Sequence, residues 1–145
     1  MPGGDSAQLA TRIAQLPDAA AAVLVTHTEP ARARAVQRRV AHVGGRPVVS
    51  DEDLAAIALT AAALVYLRRI GRDRHRSRTL VVGAISMPVL APLLVCTGFP
   101  DITLWNSVAS PWFPLARAAR DADVVLDLLG DHGWPSWCRT GQRVR

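Results

Sequence analysis

The sequence predicts an α/β protein: a Rossmann-like three-layer domain built on a mostly parallel sheet. Three observations carry this. Short β-branched runs alternate with segments of helical period. Capping, proline and glycine residues bracket those segments as helix starts and stops. The stretch Thr79-Leu-Val-Val-Gly-Ala-Ile-Ser-Met-Pro88 then runs a strand into a small-residue turn and a helix start. Alternation of this kind calls for right-handed crossovers, and such sheets bind ligands at the carboxyl ends of their strands. That rule places Gly83–Met87, Trp105–Ser107 and Gly130–His132 on one rim.

Taken in order, Ser6 can cap a short helix running through Gln15 and ended by Pro17. Ala21–Thr26 reads as a buried strand. Glu29-Pro30 opens a helix to about Val43, with proline suited to the first turn and Gly44-Gly45 closing it. Pro47–Ser50 is a second short strand. Ser50 or Asp51 caps a long alanine-rich helix over Glu52 to Ile70, and Asp51, Glu52 and Asp53 complement its positive end. That helix is apolar nearly all round, which predicts burial on more than one side.

Gly71 ends the long helix, and Arg72–Arg78 forms a basic loop. Strand Thr79–Val82 leads through its turn into helix Met87–Thr97, ended by Gly98. Asp101–Trp105 is a further strand, Pro111–Arg120 a short helix, and Asp123–Leu128 another strand. The expected organisation is an amino-terminal arm over 1–20, a Rossmann-like domain over 21–130 and a Trp/Arg-rich tail over 131–145.

Composition narrows the class. Half of the 145 residues are hydrophobic and 20% charged, which is globular rather than disordered. The net charge of +5 comes entirely from arginine, since the chain has no lysine. Cys96 and Cys138 form no CxxC pair; Cys96 sits in an apolar helical run, where a buried free thiol is expected. With no signal peptide in front, the expected setting is the reducing cytoplasm. Leu80–Gly98 carries no charge and is long enough to span a bilayer. However, it contains Gly83, Pro88 and Pro92 and changes period midway, so strand plus helix is preferred to a membrane span.

Several segments resemble the malic enzymes. Pro47-Val-Val-Ser-Asp-Glu-Asp-Leu-Ala-Ala-Ile-Ala-Leu-Thr-Ala-Ala-Ala-Leu64 is similar to the segment in which a strand runs into paired aspartates and an alanine-rich helix. Leu80-Val-Val-Gly-Ala84, Leu93-Leu94, Gly98 and Asp101-Ile-Thr-Leu-Trp-Asn-Ser107 look like the βαβ unit that follows. Val23–Gly45 is more weakly similar to the elements before it. The resemblance implies an oxidoreductase-type domain binding NAD or NADP. Asp51 would match the general-base aspartate and Glu52 a ligand of the divalent metal.

The departures are as informative as the matches. The acidic pair that completes the family's metal site has no counterpart after Gly45, so no metal is expected, and Asp51–Asp53 also reads simply as a helix N-terminus. By the resemblance, the family's catalytic tyrosine and lysine are expected upstream of the segments matched here. In the cofactor loop Gly83, Ala84, Ile85, Ser86 and Met87 would face a pyrophosphate. Ile85 stands where a second glycine admits the ligand, and Met87 or Pro88 stands near the third. Asn106, or Trp105, takes the place of the acid that binds a ribose 2′-hydroxyl. An asparagine still bonds a hydroxyl but without charge assistance.

Other chemistry is scattered. His132, beside Asp131 at a strand's carboxyl end, is the histidine best placed for acid–base work; His27, His42 and His75 read as loop or helix-end residues. Arg68–Arg78 contains six arginines and could meet phosphate, yet nothing aromatic is interleaved and no nucleic-acid signature appears. Trp105, Trp112, Trp134 and Trp137 could cover the sheet or anchor a homodimer or protein partner. Two readings stand: a nucleotide-binding, oxidoreductase-type protein working with a second subunit, or a non-catalytic pseudoenzyme binding a protein or small anionic partner.

Overall fold

The computed structural model describes residues 3–107, 113–130 and 143–144. His132, Trp112, Trp134, Trp137 and Cys138 lie outside them. The chain divides into two compact units, residues 1–54 and 55–145.

In the first unit α1 (Gly3–Ala14) is followed by β1 (Val23–Val25), α2 (Pro30–His42) and β2 (Val48–Ser50). The two strands pair in parallel, Val23 opposite Val48 and Val25 opposite Ser50. Glu29 caps α2 by accepting the Ala31 N–H at 3.3 Å, and Pro30 sits where no intrahelical donor is needed. Ala33, Val36 and Val40 recur at helical spacing on the buried face of α2, and Val36 and Val40 pack with Ile13 of α1 and Val25 of β1. The unit ends in the first turn of α3 (Asp51–Arg69).

A reciprocal capping box starts α3. The Asp53 N–H donates to Ser50 Oγ at 3.2 Å, and the Ser50 N–H donates to Asp53 Oδ2 at 2.8 Å. Ser50 Oγ and Gln37 Nε2 donate to the same oxygen at 2.9 and 2.6 Å.

The second unit holds a four-stranded, all-parallel sheet in the order β4-β3-β5-β6. Its strands are β3 (Arg78–Val82), β4 (Asp101–Trp105), β5 (Val124–Asp127) and β6 (Arg143–Val144); α4 (Leu90–Cys96) joins β3 to β4, and α5 (Leu115–Arg120) precedes β5. Thr79–Val82 and all of β5 are buried, as strands covered on both faces require. Alternate residues point to opposite faces. Val81, Val124 and Leu126 pack with Leu67 of α3 and Leu90 and Leu94 of α4; Leu80, Val82 and Val125 pack with Trp105, Ala119 and Ala122. The unit is thus helix, sheet, helix: the Rossmann-like α/β architecture.

Several details differ from the sequence expectation. α3 buries a single stripe, Ala56, Thr60, Ala63 and Leu67, whereas Ile57 and Val65 are 52% and 57% exposed. Alanine is small, so an alanine-rich helix can read as apolar all round while one stripe makes the contacts. Cys96 is exposed rather than buried, because Leu90 and Leu94 occupy the inward face of α4. The helix expected from Met87 begins only at Leu90: Pro88 disfavours helical backbone at Met87, which lies at φ −142° and ψ 73°. Trp105, by contrast, follows one of its two expected roles: it packs against Leu80 and Val82 of the sheet, its indole N–H donating to the Phe113 carbonyl at 2.8 Å.

The uncharged stretch Leu80–Gly98 divides into β3, a 3-10 turn (Ala84–Ser86) and α4. Among the described residues no helix is long and apolar enough to cross a membrane.

Candidate functional site

The order β4-β3-β5 makes β3 the strand from which the chain departs in two directions. α4 leads to β4 on one side, and α5 returns the chain to β5 on the other. In open parallel sheets the ligand crevice lies outside the carboxyl ends at this reversal. Here that is the ground between Gly83, after β3, and Leu128–Gly130, after β5.

Gly83 has φ +78°, a conformation glycine reaches without strain. A Cβ there would fall 2.4 Å from Leu129 Cγ, so the leucine side chain lies directly against the glycine. Leu129 is itself held by its N–H donating to Asp127 Oδ1 at 3.0 Å, and the Leu128 N–H donates to the Val82 carbonyl at 3.0 Å. The buried Asp127 carboxylate thus sits at the carboxyl end of β5, inside the crevice rule. Sequence reasoning passed over both residues, although an aspartate closing a Val-Val-Leu strand was a usable signal.

Most of the turn's amides are already engaged. The Gly83 N–H donates to the Trp105 carbonyl at 2.8 Å, the Ser86 N–H to the Gly83 carbonyl at 2.9 Å and the Met87 N–H to the Ala84 carbonyl at 3.3 Å. The Ser86 hydroxyl donates to the Gly83 carbonyl at 2.7 Å. The Ile85 N–H is held by a side chain instead: Asn106 Oδ1 accepts it at 3.1 Å. The Ile85 side chain stands 72% exposed above this contact. The structure therefore brings Gly83, Ala84, Ile85, Ser86 and Asn106 together on one rim. Met87 closes the 3-10 turn.

Asp51 belongs to the other unit. At the carboxyl ends of β1 and β2, Asp51 Oδ2 accepts the His27 N–H at 3.1 Å, with His27 at φ +53°. Glu52 Oε2 lies 3.7 Å from Arg34, and its Oε1 is buried without a hydrogen bond among the described residues. With Asp53 in the capping box, each of these carboxylates has one oxygen committed to a protein donor or a guanidinium. That arrangement does not fit a hard divalent cation, which needs several free oxygen ligands. Among the described residues no three His, Cys, Asp or Glu side chains form a metal-sized group.

The fold and rim define a Rossmann-like α/β domain. No family model and no curated protein sequence matches the chain. Among solved structures it is similar to the crystal structure of Entamoeba histolytica malic enzyme, with a TM-score of 0.64 and 17% identity. The match covers 86% of this chain and 32% of that one, so the chain spans about a third of that enzyme's length. At this identity the likeness is one of fold.

Proposed function

We propose that this chain is a malic enzyme-like nucleotide-binding domain that takes NAD or NADP at the Gly83 rim and does not carry decarboxylation chemistry of its own. The observation behind this reading is the Asn106–Ile85 contact. An acceptor oxygen already sits on a glycine-turn amide at the topological switch point, and the same type of amide holds a dinucleotide's pyrophosphate in this architecture. The residues that would hold the cofactor are Gly83, Ala84, Ile85 and Ser86 through the turn, with the Asn106 amide available to a ribose hydroxyl. A bound nicotinamide would supply hydride chemistry. This chain's residues would bind and orient it, and catalysis would rest on groups from a second subunit.

The expected outcome of calorimetric titration with NAD(H) and NADP(H) is weak saturable binding, with a Kd on the order of 0.1–1 mM. The weakness follows from Ile85, whose bulk stands where close backbone approach is needed. Replacing it, Ile85→Gly, should tighten binding without disturbing the core, since the side chain is mostly exposed. Absence of saturation at millimolar cofactor in both proteins would sink the reading.

A second reading rests on Leu129. Because that side chain fills the space beside Gly83 and Asn106 occupies the Ile85 amide, a closed rim also suits a non-catalytic protein that uses the scaffold to bind a partner. Under this reading neither protein in the titration binds cofactor.

A further inference from the structure

The arginine loop is built rather than loose. Gly71 turns the chain with φ +69°, and the Arg72 N–H donates back to the Leu67 carbonyl at 2.9 Å. Asp73 Oδ1 accepts the His75 N–H at 3.0 Å, and Ser77 Oγ donates to the Asp73 carbonyl at 2.6 Å. Arg72 lies 3.7 Å from Asp123. Gly98, at φ +91°, completes the mould: a Cβ there would stand 2.8 Å from His75 Cε1 and 3.3 Å from Arg74 Nε. A solvated charge run needs none of these contacts.

Between this loop and the end of α3 lies a cleft of about 690 Å³, lined by Leu64, Val65, Arg68, Arg72, Arg74 and His75 among others. Arg68 and Arg74 form no ion pair among the described residues. Asp73 also lines the cleft, where its Oδ1 accepts the His75 N–H, so the lining holds three arginines to one carboxylate. The cleft thus gathers several cations beside an apolar wall. Its size is that of a small-molecule site. Guanidinium groups bond phosphoryl oxygens in bidentate pairs, and clustered positive charge in a cleft concentrates anions.

We propose that this cleft is a second binding site, for a soluble phosphate ester carrying two or more phosphoryl charges on an apolar or aromatic body. Its charges meet Arg68, Arg74 and His75, and its body lies along Leu64 and Val65. The loop precedes β3, whereas Gly83 follows it, so this site is at the opposite end of the strand from the dinucleotide rim and independent of that reading.

The test uses the full chain with ADP, inorganic tripolyphosphate and adenosine, followed by calorimetry and by NMR signals of the His75 imidazole and the arginine Nε–H groups. ADP and tripolyphosphate should bind saturably and shift His75 and Arg74, while adenosine binds at least tenfold more weakly. The double substitution Arg68→Gln/Arg74→Gln should weaken ADP binding at least tenfold. Arg38→Gln, which removes an exposed charge from the other unit, should change it less than twofold. Equal losses in both variants, ADP shifts confined to Gly83–Met87, or capture by anionic phospholipid vesicles without ADP binding would each overturn the proposal. The wild-type NMR shifts decide the question even if the double variant does not fold. They also separate it from the cofactor reading, whose signals lie elsewhere.

Discussion

At the residue scale, Gly83 and Leu129 make one contact that neither reveals alone. Substituting Gly83→Ala places a methyl group in a left-handed backbone and against Leu129, which should cost roughly 2–4 kcal/mol, combining backbone strain with overpacking. The double variant Gly83→Ala/Leu129→Ala should recover part of that loss, measured by chemical denaturation in a double-mutant cycle. Tyr66 offers a second check. Burial first, and the Asp123 carboxylate second, raise its phenol above the ordinary value of 10.0. The folded state therefore holds this proton more tightly than the unfolded one. Its contribution to stability is complete below the unfolded pKa and is lost as pH rises through the folded one. It is the single tyrosine in a chain without lysine, so absorbance titration should report one phenol ionising above pH 10. In Tyr66→Phe the fall in stability at alkaline pH should be smaller.

The elements were legible where local chemistry decides them. Glu29-Pro30 opens α2 and Ser50 precedes α3, as their capping preferences require. Because Asp53 Oδ2 takes three donors at once, Asp53→Ala should destabilise the protein by about 1–3 kcal/mol, read from the denaturation midpoint. A loss below about 0.3 kcal/mol would contradict the capping account. The start of α4 is hidden in the sequence because the helical period runs on through Met87, although Pro88 acts on the residue before it. The exposed side of α3 was also hidden. An apolar sequence shows which faces can be buried, and the packing partners decide which one is.

For the whole molecule, the α/β class and the glycine-turn rim could be read from strand–helix alternation and the run into Gly83. What closes the rim could not. Leu129 and Asp127 lie more than forty residues beyond Gly83 in the chain; the pairing of β3 with β5 sets Asp127 opposite Val82 and brings Leu129 against Gly83. The candidate acidic site also changes character. Asp51 meets a backbone N–H and Glu52 an arginine, in a unit separate from the rim. The proposed role of the rim at Gly83 is to take a dinucleotide. Its most direct test is a titration of the labelled full chain with NADH and NADPH, following the backbone amides of Gly83–Met87 and the Asn106 side-chain amide by NMR. Saturable shifts concentrated at Ile85 and Asn106 are predicted. No shift there at millimolar cofactor, with the fold intact, would contradict it.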